Sequence, residues 1–484
     1  MLDAKSAFSR PGARGVSFFL RCLMLISLFS ALTARADAPP PKCNLLVISI
    51  DACRADHLKC YGYDRDTSPH LDRLAAEGVL FENLTAAAPW TAPSHMSMFT
   101  SLYPSVHGVV NFTNQLGEGV PTLAECLAKS GYVTAAFVTG PLMNHRFGFN
   151  RGFQSYDDYS VDQAFDSVDS FKRMMDGTSV IDRVVTNPVI TDLAAKWLTT
   201  HSHSNENFFL FLHYWDCHYD YIPPPPFDKK FDPDYKGQEN GRGILQRLLY
   251  ILKFISVTDL AHIMALYDGE IAHTDEHVGK ILQLLQDLGL SEKTLVIVLS
   301  DHGEGFLEHG KFFHGNSLYE ELLHVPLIMR LPGVIPAGKR VAGNVSHVDL
   351  MPTVLGLLHL PCPVQIQGID LSPVILGDQP VPERLIYSEV TSNDRDVSIN
   401  LRAVRWGNHK LLGTIGTLAG AQLEEVAGGR EKVIAYWTQL PKACPEAALR
   451  AFVQGPPPIA AAKAGKAEPD EELIKRLKSL GYTQ

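Results

Sequence analysis

No pair of cysteines in this 484-residue chain has the CxxC spacing that grips zinc, and the dense cysteine ladder of a small secreted scaffold is missing. The eight cysteines, at 22, 43, 53, 60, 126, 217, 362 and 444, are scattered. A disulfide-stapled miniature fold is therefore excluded. Positive charge is not in excess either: 43 Lys and Arg face 53 Asp and Glu, for a formal net charge of -10. That balance gives no global reason to expect nucleic acid as a partner, because affinity for a phosphate backbone needs clustered cations. Long apolar runs are lacking too. The N-terminal run Cys22 to Leu32 falls short of the roughly 20 residues that span a bilayer. No internal repeat is evident.

What is present is an ordinary globular composition, 45% hydrophobic and 20% charged, over a length that exceeds one compact core. Arg10, Arg14 and Arg21, the short apolar run and Ala34-Arg35-Ala36 together read as an export signal over residues 1–36. The expected location is periplasmic or secreted, with an uncleaved N-terminal anchor as the disfavoured alternative. Signal removal would leave seven cysteines, so at least one thiol stays unpaired or bonds between molecules.

Leu45 to Ile50 is a continuous apolar, β-rich run ending at Asp51, and Thr294 to Ser300 repeats that grammar before Asp301-His302-Gly303-Glu304. Such runs predict parallel strands buried on both faces, whose C-terminal ends are where α/β proteins build sites. Phe208 to Leu212, followed by His213-Tyr214-Trp215-Asp216-Cys217-His218, predicts a third strand. Helices are expected at Ser68 to Gly78, Thr122 to Gly131 and Ile271 to Leu288. This alternation predicts an α/β fold: a large, mostly parallel sheet flanked by helices. A hairpin pattern from Leu401 to Leu412 adds a smaller antiparallel C-terminal domain. The expected organisation is a catalytic α/β domain over 37–384, the antiparallel domain over 385–455, and a linker with a terminal helix over 456–484. Residues 157–200 and 228–262 look irregular, as a lid or insertion would. Ile244 to Val257 is apolar with Arg247 and Lys253 interspersed; a helix packed on the main domain is favoured over one that touches lipid.

Asp301 and His302 offer a carboxylate oxygen and an imidazole nitrogen to one divalent metal ion. Oxygen ligands alone suit calcium or magnesium, whereas an imidazole shifts preference toward zinc or manganese. Asp51 gains force from the same sheet edge. A Thr91 hydroxyl on that ion would lose its proton more readily and become a nucleophile, although Thr91 alone also reads as a helix N-cap. His218 and His314 are candidates for gripping an anionic oxygen or protonating a leaving group, each with a structural alternative. His95, His107, His213 and His309 rank below them.

The chain resembles the sulfatase family of the alkaline phosphatase superfamily. The resemblance rests on the strand ending at Asp51, Ser68 to Gly78, Thr91 to Gly108, Tyr267 to Ile271 with Asp275 and Gly279, and Ser300 to Glu304. Tyr319-Glu320-Glu321, Val325 to Ile328 and Asp349 to Thr353 complete it. The resemblance implies a large α/β domain with a small antiparallel one. It breaks at the nucleophile. The family's Cys/Ser-x-Pro-x-Arg motif reads Thr91-Ala92-Pro93-Ser94-His95 here, and threonine, whose β-carbon already bears a methyl, cannot become formylglycine. His95 stands where arginine is expected, and Ala52 follows Asp51 where many members carry a second Asp. The remaining shell resembles superfamily members that use threonine directly, and by that resemblance Asp51, Thr91, Asp301 and His302 bind one metal ion (zinc, manganese or calcium), with His218 and His314 nearby.

The expected function is metal-dependent hydrolysis of sulfate or phosphate esters, with Thr91 as nucleophile and an anionic ester, on a glycan or lipid, as substrate. The alternatives are transfer of the group to a glycan or lipid acceptor, and a non-catalytic fold that binds such a ligand. Nucleic acid is not expected as a partner, and membrane association is the disfavoured reading.

Overall fold

In a computed structural model the described residues are 43–158, 160, 185–392, 399–459, 464–467, 471 and 474. The export signal, much of the 157–200 stretch and most of the terminal linker and helix lie outside them. Nine strands form the main sheet: β1 (Asn44–Ile50), β2 (Val79–Thr85), β3 (Val133–Phe137), β4 (Ser155–Asp157), β5 (Phe208–Tyr214), β6 (Thr294–Ser300), β7 (His324–Val325), β8 (Leu327–Arg330) and β9 (Lys339–Ser346). Their order is β7-β2-β8-β6-β1-β5-β3-β4, with β9 paired to β2. The run β6-β1-β5-β3-β4 is wholly parallel. The mixed half comes from β7 and β8, which run antiparallel to their neighbours.

The apolar runs are continuous because both sheet faces are covered. Leu45 and Val47 of β1 enter one core, and Leu46, Ile48 and Ile50 enter the other, as the two-residue period of a strand requires. Helices α1 (Pro69–Glu77), α2 (Thr91–Thr100), α3 (Leu123–Lys129), α4 (Asn187–His201), α5 (Leu248–Phe254) and α6 (Val257–Asp287) include those that close these faces. Leu71 and Leu74 of α1, Ile190 and Leu198 of α4, and Ile263 and Ile271 of α6 pack on one side. Met96 and Phe99 of α2 and Leu123 and Leu127 of α3 pack on the other. The capping box at Thr122, with reciprocal bonds to Glu125, fixes the start of α3.

Two expectations are corrected. The helix expected from Ile271 starts at Val257, where the Ser256 side chain accepts from the Asp259 amide. Buried polar residues within it, among them Asp268, Glu270 and His273, hid its periodicity. Helix α4 occupies the end of the stretch read as irregular, its start held by Asp216, which accepts from the Thr186 and Asn187 amides. Helix α5 anchors through Ile251 but leaves Leu249, Tyr250, Leu252 and Phe254 exposed, as is the neighbouring Val257. Among the described residues no helix is long and apolar enough to cross a membrane.

The C-terminal sheet is an antiparallel meander of β10 (Ile386–Ser392), β11 (Ile399–Trp406), β12 (His409–Thr414), β13 (Gln422–Ala427) and β14 (Arg430–Tyr436). It is tied to the main layer by charge. Lys410, 1% exposed, sits 3.2 Å from Glu320, 3.0 Å from Glu424 and 3.2 Å from Glu431, and Arg405 lies 2.9 Å from Glu320. Removing one member of a buried ion network leaves the others uncompensated. Lys410→Ala should therefore cost about 3–5 kcal/mol in urea unfolding. An unchanged unfolding midpoint would show that this network does not hold the sheet in place.

Candidate functional site

Register decides which residues meet. Ile50 of β1 lies abreast of Tyr214 of β5 and Ser300 of β6, so the chain leaves all three strands at one level. Asp51 and Asp301, both 0% exposed, emerge there side by side. The turn after β1 is held tightly. The Ala52 amide donates to Asp301 Oδ1 at 3.1 Å, the Cys53 amide to Ser300 Oγ at 3.0 Å, and Tyr267 Oη to the Ala52 carbonyl at 2.7 Å. Ala52 adopts φ 54, a left-handed conformation that a non-glycine residue holds only when its surroundings impose it.

Asp301 Oδ1 also accepts from the His302 amide at 2.9 Å, so its hydrogen bonds all fall on one oxygen. Oδ2 makes none, yet lies 3.4 Å from His302 Nε2 and 3.5 Å from His95 Nδ1. Gly303 is required by a close approach: a Cβ there would stand 2.0 Å from the Glu321 carbonyl oxygen.

Thr91 opens α2 as its first helical residue, with Trp90 in the cap position, so the N-cap reading is corrected. Its hydroxyl is released from capping and faces the strand ends, 3.4 Å from Asp51 Oδ2 and 3.4 Å from His302 Nε2. The start of α2, with its unpaired amides and positive dipole end, favours negative charge at the same place. Further along α2, Ser94 donates to the Asp301 carbonyl and lies 2.9 Å from His347 Nδ1. His95, one turn after Thr91, donates from Nδ1 to the Thr91 carbonyl at 2.9 Å and meets Ser49 Oγ through Nε2 at 2.8 Å.

His218 and His314 reach the same place from two loops, with ring centroids 4.8 Å apart. The His314 ring lies 4.4 Å from that of His302. His218 Nδ1 donates to the Tyr219 carbonyl at 2.8 Å. His314 Nδ1 meets Glu304 Oε1 at 3.1 Å. Burial pushes the Glu304 carboxyl up to about 8 and His314 down to about 3, so near neutral pH the carboxyl holds the proton of this pair. Nδ1 is then the acceptor, and His314 carries its own N–H on Nε2.

All six residues singled out in the sequence, Asp51, Thr91, His218, Asp301, His302 and His314, thus converge. Two more imidazoles join them. His213, the penultimate residue of β5, places Nε2 3.3 Å from Asp51 Oδ2, and His95 completes the floor. Both had ranked below His218 and His314. The signal for His95 was legible, since four residues after Thr91 is the same helix face. His107 and His309 lie elsewhere: His107 is a packing residue behind α2, and His309 pairs with Glu321 near the C-terminal sheet.

The donor set fits a divalent cation. Burial, and then the Asp51 charge, pushes Asp301 up to about 7, while burial holds His302 down at about 4. Among the described residues, acidic oxygens and basic nitrogens thus crowd together, an arrangement that a bound cation would relieve. Asp51, Asp301 and His302 form one compact ligand group, and His95, His213 and Asp301 another.

The chain is similar to known proteins over most of its length. The family profile described as "Sulfatase" matches residues 43–360, and one described as "N-sulphoglucosamine sulphohydrolase, C-terminal" matches residues 307–417. An N-acetylglucosamine-6-O-sulfatase of Bacteroides thetaiotaomicron is 23% identical over 74% of this chain and 76% of its own. Arylsulfatase K of Bos taurus is 28% identical over 71% of this chain and 67% of its own. Among solved structures, the phosphonate monoester hydrolase of Agrobacterium radiobacter superposes with a TM-score of 0.64 at 22% identity, covering 79% of this chain and 89% of that one.

Two buried histidines packed against α2 set a pH limit on stability. His107 accepts from the Val109 amide at 3.0 Å and donates to the Pro93 carbonyl at 3.2 Å; His347 donates to the Ser300 carbonyl at 3.0 Å. Burial holds each at about 3, against 6.5 when free. Below 6.5 the unfolded chain takes up protons that the folded chain refuses, so their contribution is complete above 6.5 and is lost as pH falls toward 3. His107→Gln should flatten the acid side of the stability profile, read as urea midpoints from about pH 7 to about pH 4. A profile as steep as that of the wild type would remove His107 from this account.

Proposed function

Taking as premise that this chain belongs to the sulfatase family and is an ester hydrolase of it, we propose that it cleaves sulfate or phosphate esters by direct attack of the Thr91 hydroxyl. The observation that carries this reading is the position of Thr91 Oγ1, 3.4 Å from both Asp51 Oδ2 and His302 Nε2 at the start of α2. Asp51, Thr91, Asp301 and His302 would hold one divalent metal ion. That ion would supply a lowered hydroxyl pKa and charge to offset the transferred group.

The chain's own residues perform the rest. Thr91 Oγ attacks the sulfur or phosphorus, its proton leaves to solvent or to a neighbouring base, and the bond to the leaving oxygen breaks. Glu304 hands its proton to His314 Nδ1 as His314 passes its Nε2–H to that oxygen, so the ring stays neutral, while the α2 amides, and His218 when protonated on Nε2, bind the oxygens left on the transferred group. The product of this half is a threonine ester, and water then cleaves it, releasing sulfate or phosphate and restoring Thr91. A hydroxyl fixed by the gene stands where the family's oxidised cysteine would be, so formylglycine has no part in this scheme.

The substrate is an anionic ester, in keeping with relatives named for N-acetylglucosamine-6-O-sulfate and phosphonate monoesters. A glycan or lipid carrier and an exported location complete the reading. An aryl sulfate, a phosphate monoester and a phosphodiester assayed in parallel test it. Thr91→Ala should lower kcat by about a thousandfold or more on the preferred ester, and Thr91→Ser should retain most of it. Mass spectrometry of a quenched reaction should find the transferred group on the peptide that contains Thr91. Equal rates for wild type and Thr91→Ala would end the nucleophile assignment.

A further inference from the structure

We propose that His213 is an additional ligand of the metal ion at this site, giving it two imidazoles and a preference for zinc or manganese over calcium. The inference rests on the metal-binding reading of Asp51, Thr91, Asp301 and His302 given above.

The argument concerns lone pairs. His213 is 0% exposed, and its Nδ1 lies 2.9 Å from the Thr139 carbonyl oxygen. A carbonyl only accepts, so Nδ1 carries the hydrogen and Nε2 of the neutral ring presents a lone pair. That lone pair faces the carboxylates: Nε2 is 3.3 Å from Asp51 Oδ2 and belongs with Asp301 to one compact ligand group. Nε2 makes no hydrogen bond despite this proximity, so an N–H placed there would not be aligned on the carboxylate. His213 Nε2 and Asp301 Oδ2 are thus buried acceptors of one ligand group that make no hydrogen bond, and a cation is the group that satisfies both.

His302 repeats the arrangement from the opposite strand. Its Nδ1 donates to the Gly303 carbonyl at 2.9 Å, and Nε2 points at Asp301 Oδ2 and Thr91 Oγ1, both at 3.4 Å. In each case a backbone carbonyl fixes the tautomer and aims the other nitrogen, as is usual for ligating histidines. His95 fails the same criterion. Its Nδ1 is committed to the Thr91 carbonyl and its Nε2 to Ser49 Oγ, so it orients the nucleophile's backbone and contributes no ligand atom.

Two imidazoles beside two carboxylates and a hydroxyl form a mixed nitrogen and oxygen set. Such a set favours zinc or manganese, whereas calcium prefers oxygen throughout.

The full chain, stripped with a chelator, is titrated by calorimetry with Zn²⁺, Mn²⁺ or Ca²⁺, and separately loaded with Co²⁺ for absorption spectroscopy. Wild type should bind Zn²⁺ or Mn²⁺ at the site more tightly than Ca²⁺. His213→Gln should weaken Zn²⁺ binding by on the order of a hundredfold or more, since even the loss of an outer-shell partner costs about 10–100-fold. Its cobalt spectrum should change as well. Equal Zn²⁺ affinity with an identical cobalt spectrum would overturn the role of His213 while leaving the four-residue site intact. A wild type that binds none of these ions would overturn the metal reading itself. A measurement on wild type alone covers a variant that fails to fold. In the cobalt-loaded protein, proton NMR should show two exchangeable hyperfine-shifted imidazole N–H signals, from Nδ1 of His213 and His302. A single signal would overturn the proposal.

Discussion

Two carboxylates that ought to repel one another are held side by side where water does not reach, and the catalytic layer is organised around that pairing. Asp51 and Asp301 stand at the ends of adjacent parallel strands because hydrogen-bond register places Ile50 beside Ser300. Nothing in the sheet can relax their repulsion without breaking that register. The relief comes from elsewhere: from the positive end of α2 and from the cation that would suit this donor set.

Holding such a pair demands rigid support on every side. The Ala52 amide and Tyr267 Oη lock the turn after β1, and the His302 amide and Gly303 lock the turn after β6. Ser94 reaches across from α2 to the Asp301 carbonyl, so the helix that carries Thr91 is registered to the strand that carries Asp301. Long helix α6 delivers Tyr267, and polar residues interrupt its apolar face because they hold neighbouring segments: Asp268 pairs with His57 and Arg65, Glu270 accepts from the Ile222 amide, and Asp275 accepts from the His70 and Leu71 amides.

Much of this was legible in the sequence because parallel strands buried on both faces announce themselves as unbroken apolar runs. The residue that ends each run then marks the sheet edge, and Asp51, Asp301 and His302 were found that way. Thr91 was placed by motif order, and its freedom from capping was visible only once Trp90 was seen in the cap position. His213 was not legible as a site residue. A strand's two-residue period does not say which side of the sheet the site occupies, and only the pairing of Ser49 with His213 shows that this imidazole rises toward Asp51. Strands β7 and β8, of two and four residues, were too short for periodicity to register, so the antiparallel half of the sheet was missed.

The methyl group on Thr91 has a kinetic consequence. A hydrated aldehyde carries a second oxygen on the same carbon, so it can expel the captured group by cleaving its own carbon–oxygen bond and refilling the carbonyl. Thr91 has a methyl in that place and only one oxygen. Under the proposed attack by Thr91, its ester would be undone at sulfur or phosphorus, by a water molecule entering where the side chain is 3% exposed. Turnover by that route would then be governed by how readily water is admitted once the leaving group has gone.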